Sequence, residues 1–146
     1  MTQTAESPAG VDSSVYEQVQ HFYARQMQDL DAGRAAEWAE TFTEDGVFAA
    51  NAHPEPTVGR AAIAAAASAA TADLERRGLR RRHWLGMLTV TPEGDRLRAR
   101  SYALIIETPR GGQAAVRLST TCEDILVRSG DGWQVQHRQV LRDDLD

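Results

Sequence analysis

Few residues in this chain are placed to move a proton. Asp124 stands in a run rich in strand formers, where Thr120, Cys122, Asp124 and Leu126 fall on one face because side chains alternate along a strand. A carboxylate turned from such a face into an apolar pocket is costly to ionise. It suits giving a proton to a developing oxyanion, or taking one near neutral pH. The plainer alternative is a rim carboxylate paired with one of the arginines. His83 follows Arg80, Arg81 and Arg82 and opens another strand-like run. Imidazole ordinarily titrates near neutral pH and suits proton transfer, although a histidine at a strand end can also bond a loop carbonyl. Asp31 begins the turn Asp31-Ala32-Gly33, where an aspartate can simply bond its own backbone.

Tyr23, Asn51, Ser101 and His137 are further polar candidates for a pocket. Tyr23 shares an apolar helical stripe, where a tyrosine is commonly core with its hydroxyl bonded. Asn51 could orient a carbonyl or a water, or be a turn residue; Ser101 could bond backbone within its strand. His137 shares a face with Trp133 and Val135 in a regular strand, whereas a bulge would put Arg138 there instead. Cys122 reads as a small packed hydrophobe, with no local cation to activate its thiol. His21 reads as solvated, and His53 lies in a proline-containing loop that could form a lid. Arg76, Arg77, Arg80, Arg81 and Arg82 resemble an anion patch, but also a solvated helix end pairing with Asp73 and Glu75.

Composition excludes several chemistries. All 16 basic residues are arginine. Without lysine there is neither Schiff-base chemistry nor a P-loop. One cysteine excludes an internal disulfide and a cysteine-rich zinc site, and no His spacing forms a local metal motif. The net charge of −5 argues against nucleic acid as a partner. No apolar run reaches the roughly 18 residues of a membrane span. Met1 to Gly10 has neither a basic start nor an apolar stretch, so a cytoplasmic protein without a signal peptide is expected.

The elements that must position these groups follow from periodicity. Residues 1–12 read as a flexible tail and 13–146 as one domain, with Asp12, Ser13 and Ser14 as candidate N-caps. Val15, Val19, Phe22, Tyr23, Met27 and Leu30 recur at three- and four-residue steps, predicting a helix that Asp31-Ala32-Gly33 breaks. A short helix is expected from Ala35 to Phe42, with Trp38 and Phe42 inward. Glu44-Asp45-Gly46 then reads as a turn into a strand from Val47 to Ala50, and Asn51 to Gly59 as a loop. Arg60 to Arg77 is alanine-rich and predicted helical, ending at Gly78. His83–Thr91, Arg96–Thr108, Gln113–Val127 and Trp133–Leu141 read as four strands joined by hairpin turns. Three helices followed by an antiparallel meander make an α+β domain. A strongly curved sheet would close over the helices at one end and leave a mostly apolar pocket.

The order of elements and several motifs resemble the NTF2-like superfamily, in its SnoaL-like polyketide cyclase, ketosteroid isomerase and scytalone dehydratase branches. The residues that carry the resemblance are Asp31-Ala32-Gly33 with Phe42-Thr43-Glu44-Asp45-Gly46-Val47-Phe48, Pro56 to Ile63, Arg82-His83-Trp84, and Asp124 to Arg128 with Gly132-Trp133-Gln134-Val135. It covers residues 15–142. The recurring passage usually has an acidic residue after its first glycine, where this chain has Arg34.

The resemblance implies a cone of three N-terminal helices on a strongly curved antiparallel sheet enclosing a pocket. It implies a homodimer through the outer sheet face, where Arg96, Arg98 and Arg100 would supply ion pairs. It implies His83 as general base, oriented by Asp31, and Asp124 as an oxyanion-hole acid. Gln26 stands where ketosteroid isomerases place an oxyanion-binding tyrosine, and Ala50 where they place their base, so their chemistry is not expected by that route. Scytalone dehydratase has a substrate-binding tyrosine near the same place, and this chain lacks that as well.

The implied function is a cofactor-independent cyclase, dehydratase or isomerase. Its substrate would be a hydrophobic, aromatic polyketide-like intermediate of secondary metabolism, such as those leading to antibiotics. Proton removal α to a carbonyl would lead to an enolate, then to ring closure or loss of water. His83, Asp31 and Asp124 would be catalytic, with Gln26, Tyr23, Asn51, Ser101, His137 and Phe42 around the substrate. Two other functions fit the same fold. One is a non-catalytic binding or assembly subunit like the small subunit of ring-hydroxylating dioxygenases, with a partner chain and a pocket filled by side chains. The other is epoxide opening through an Asp-Arg-Asp arrangement using Arg98 or Arg100.

Overall fold

The computed structural model describes residues 10–145. Within them, helices α1 (Ser13–Asp31), α2 (Ala35–Ala39) and α3 (Arg60–Arg77) pack on strands β1 (Phe42–Ala50), β2 (Thr57–Val58), β3 (Leu79–Glu93), β4 (Arg96–Pro109), β5 (Ala115–Ser129) and β6 (Gly132–Arg142). Most of the expected tail lies outside the described residues. Val11, however, packs against the core, so the chain is anchored before α1 begins. Asp12 is the N-cap of α1, with no hydrogen bond from its side chain.

The sheet runs in the order β2-β1-β6-β5-β4-β3 and is open, with β2 and β3 at its edges. The four-strand meander is present, but the sheet is mixed rather than purely antiparallel, because β1 pairs parallel to β6. That pairing joins segments about ninety residues apart, and no turn signal reports it. The sheet curls through irregularities in register between Gly86 and Thr89, Ile105 and Ile106, and Ile125 and Leu126. Each extra residue bends its strand and adds twist. At the first of these Met87 takes a positive φ of 53°.

Two boundaries differ from the periodicity reading. The short helix stops at Ala39, and Phe42 already pairs with Val135 as the first residue of β1. The turn-like Glu44-Asp45-Gly46 is an irregularity inside that strand. Gly46 fits closely there: a Cβ would lie 3.0 Å from the Thr43 carbonyl oxygen and 3.2 Å from the Phe42 Cβ, so a larger residue would push the backbone apart. Secondly, β3 starts at Leu79, immediately after Gly78 caps α3 in the left-handed conformation at φ +65°. Alternation from Leu79 turns Arg81, His83 and Leu85 toward the helices.

Val19, Tyr23, Trp38, Phe42, Ile63, Leu126 and Val135 form the heart of the core. Buried apolar surface of this kind contributes about 25 cal/mol per Å². Helix α3 presents Ile63 and then Ala66, Ala67 and Ala70 to the sheet. Methyl groups cannot fill the space left by the curl, and a hollow remains. No described helix is long and apolar enough to cross a membrane.

Candidate active site

The hollow has a volume of about 680 Å³ and lies between the end of α1, helix α3 and the inner face of the sheet. Leu30, Trp38, Ile63, Leu74, Leu85 and Ile105 give it apolar walls. Among the polar groups that line it are Asp31, Arg81, His83, Thr120 and Arg138, with His53 from the loop before β2.

On one wall, Asp31 and His83 meet. Asp31 Oδ1 lies 2.6 Å from His83 Nδ1, and Asp31 Oδ2 accepts the His83 backbone N–H at 3.1 Å. One carboxylate thus fixes both the ring and the strand that carries it. With Nδ1–H donating to Asp31, Nε2 carries the free lone pair. Asp31 is held there because α1 ends at this residue, and His83 because β3 begins four residues before it. Beside them, Arg81 donates from Nε to Glu107 Oε2 at 2.7 Å across the β3–β4 pair.

The other end of the hollow is occupied differently from the expectation. Asp124 is fully buried and does not line the hollow; Arg138, from β6, does. Asp124 Oδ1 accepts from Arg138 Nε at 2.9 Å and from the Cys122 thiol at 3.5 Å. Asp124 Oδ2 accepts from Arg138 Nη2 at 2.9 Å and from the Tyr23 hydroxyl at 2.6 Å. The apolar surroundings expected for Asp124 are therefore replaced by a buried ion pair. With four donors converging on it, this carboxylate is an acceptor and not a group poised to donate.

Tyr23 and Gln26 also serve this pair. Gln26 Oε1 accepts from Arg138 Nη2 at 2.7 Å, and Gln26 Nε2 donates to Thr41 Oγ1 at 2.7 Å. The Thr41 hydroxyl in turn donates to the Trp38 carbonyl. Three residues apart on α1, Tyr23 and Gln26 share a face, and both are buried against the sheet. Neither lines the hollow.

The electrostatics follow from burial. Burial, and then the charge on Asp124, raise Tyr23 well above the usual phenol value, so its hydroxyl stays a donor. Burial, and then the same charge, push the Cys122 thiol up to about 12. Burial alone would weaken the Arg138 cation, but the adjacent carboxylate more than offsets it and the net shift is upward. Arg138 also lies over the Phe42 ring at 5.2 Å.

The remaining expected residues are placed elsewhere. His137 is exposed on the outer face. Ile125 pairs with His137 while Leu126 pairs with Val135, so Gln136 is the extra residue of a bulge and Arg138 takes the inward position. Asn51 is spent on the backbone of Arg142, donating to its carbonyl at 3.2 Å and accepting its N–H at 2.9 Å. Phe42 is fully buried, its ring centroid 5.1 Å from that of Trp38. Ser101 is buried on the inner face of β4 opposite Cys122, without lining the hollow. Arg98 and Arg100 face outward and pair with Glu93 and Glu123. The Asp-Arg-Asp arrangement of an epoxide-opening site is thus not formed by them; around Arg138, Gln26 stands where a second acid would be needed. Among the described residues, no group of three or more His, Cys, Asp or Glu could hold a metal ion.

Sequence reasoning named Arg138 only as the alternative to His137. The signal that could have chosen it is the pair of polar residues Tyr23 and Gln26 within the apolar stripe of α1, which require a buried partner.

The sequence matches the model of the SnoaL-like domain family over residues 12–139. Among solved structures it resembles Aln2 from a Streptomyces species, with 30% identity, 92% of this chain and 95% of that one covered, and a TM-score of 0.85. ActVI-ORFA from Streptomyces coelicolor is 30% identical over 91% of this chain and 100% of that one, with a TM-score of 0.83. A protein from Catenulispora acidiphila, solved in complex with S-DNPA, is 36% identical over 91% and 96%, with a TM-score of 0.79. No curated protein matches the sequence.

Proposed function

The chain belongs to the SnoaL-like domain family, and from that premise we propose that it is an acid–base enzyme, a cyclase, dehydratase or isomerase of an aromatic polyketide-like intermediate. The observation that carries this reading is the Asp31–His83 pair on the wall of an apolar hollow. A small molecule bound by a relative of 36% identity supports a small-molecule substrate here as well.

In this reading the rings of the substrate lie against Trp38, Leu85 and Ile105. His83 Nε2 removes a proton from the carbon α to a carbonyl. Asp31 holds the imidazole in the tautomer that can accept that proton and then stabilises the imidazolium. The enolate so formed either attacks within the molecule to close a ring or expels a hydroxyl as water, with His83 returning the proton. Apolar walls against the bound rings limit the water that could quench the enolate at random. The non-catalytic alternative expected a pocket filled by side chains, and an open hollow of about 680 Å³ favours a protein that takes up a small molecule.

The protein is further proposed to act as a homodimer through its outer sheet face. Trp84, Met87 and Tyr102 are exposed there on β3 and β4. Within one protomer, Arg98 and Arg100 already pair with glutamates of their own chain and Arg96 bonds Gln136.

The test is proton exchange at the carbon between the ring and the carbonyl of 2-tetralone, followed by NMR in deuterated water. The wild-type protein is expected to accelerate exchange. His83→Ala is expected to lower that acceleration roughly 10²–10⁴-fold. Equal exchange in wild type, His83→Ala and Asp31→Asn would overturn the reading.

A further inference from the structure

We propose that Arg138 is a substrate-binding residue that selects ring systems bearing an acidic hydroxyl, by donating from Nη1 to the phenolate or enolate oxygen. The proposal rests on the reading of the hollow as a site for aromatic, oxygen-rich molecules.

An arginine offers five N–H donors. In Arg138 the Nε donor goes to Asp124 Oδ1, and the two Nη2 donors go to Asp124 Oδ2 and Gln26 Oε1. The two Nη1 donors have no acceptor among the described residues. The side chain is only 4% exposed, yet it lines the hollow. Asp124 is fully buried and off the hollow, so the ion pair is a dipole with its positive end toward the hollow. Nη1 keeps accessible surface while the rest of the guanidinium is bonded, so these two donors are open to an oxygen that enters the hollow.

Several observations show a built site. Tyr23 and Gln26 are both buried; Tyr23 holds the counter-ion Asp124, Gln26 holds Arg138, and Thr41 in turn holds the Gln26 amide. The orientation of the guanidinium is therefore fixed before any ligand binds, so little is lost in ordering it. The ligand chemistry follows from geometry and charge. Nη1 donates to an acceptor in a mostly apolar enclosure, which favours an oxygen whose charge is spread over attached rings above a strongly hydrated anion. Phenolate and enolate oxygens meet that description. An unoxygenated ring system would leave both donors unsatisfied.

The experiment uses 2-naphthols of graded acidity, with naphthalene as the oxygen-free control, at one pH against the full-length protein. Binding is read by quenching of Trp38 in the hollow wall and by the absorption spectrum of the bound naphthol. Affinity is expected to rise about tenfold from the least to the most acidic naphthol, with naphthalene weakest and the bound spectrum shifted toward naphtholate. Arg138→Gln would leave Asp124 buried without its partner and risks unfolding. The double variant Arg138→Met, Asp124→Leu removes both charges together and is expected to bind all the naphthols alike. A flat series in the wild type overturns the proposal, and so does an unchanged slope in the double variant. His83→Ala separates the two readings. Loss of tetralone exchange with the naphthol slope kept is the expected result. Unchanged exchange would end the catalytic reading, while the naphthol series would still decide the role of Arg138.

Discussion

Asp31 grips His83 at two points, the ring nitrogen at 2.6 Å and the backbone N–H at 3.1 Å, across fifty-two residues of chain. The contact ties the last residue of α1 to the inner face of β3, so the orientation of the imidazole and the docking of the helix are one event.

Asp31→Asn keeps the size of the side chain but can no longer accept at both oxygens. It is expected to lower proton exchange on 2-tetralone by roughly a hundredfold, with a small loss of stability. Asp31→Ala leaves the His83 backbone N–H without its acceptor and is expected to cost a further 1–3 kcal/mol or so. Exchange rates and urea denaturation of the two variants distinguish positioning of the ring from docking of the helix.

The Arg138–Asp124 pair is expected to behave as a buried ion pair. Asp124→Asn leaves a buried cation without compensation and should destabilise the protein by about 3–5 kcal/mol. Replacing both partners by apolar residues should cost much less than the sum of the single changes. Urea midpoints of the two single variants and the double variant close the cycle; additivity would show that the pair does not act as a unit.

Alkali should expose the cost of the two buried acids. Cys122 is pushed up to about 12, from an ordinary value of 9.0, and Tyr23 is also raised. For a group whose proton is held more tightly in the folded state, the stabilising effect is whole below the unfolded value and is lost as pH rises through the folded one. Stability should therefore decline from about pH 9 toward about pH 12. The single thiol should resist a disulfide reagent at pH 8 in the native protein and react promptly in urea. Rapid native reaction at pH 8 would contradict the burial of Cys122.

Ala67→Phe tests whether the alanines of α3 make the hollow. The new ring is expected to occupy space beside Ile63 and to weaken naphthol binding tenfold or more, with stability within about 1–2 kcal/mol of the wild type. Unchanged binding would place the ligand elsewhere.

Periodicity determined much of this protein. The stripe from Val15 to Leu30, the alanine-rich run ended by Gly78 and the hairpin turns before β4, β5 and β6 are local signals, and each names its element because capping, alternation and turn chemistry act over a few residues. The resemblance also named Asp31 and His83, which do meet. Tertiary structure decided the rest. The parallel pairing of β1 with β6, the bulge at Gln136 that turned His137 out and Arg138 in, and the pairing of Asp124 with that arginine depend on contacts between distant segments. A shift of one residue exchanges the two faces of a strand, and nothing within the strand itself fixes where that shift falls. The sequence alone therefore identified which residues carry charge, while the folded sheet determined which of those charges face one another and which are turned toward the hollow.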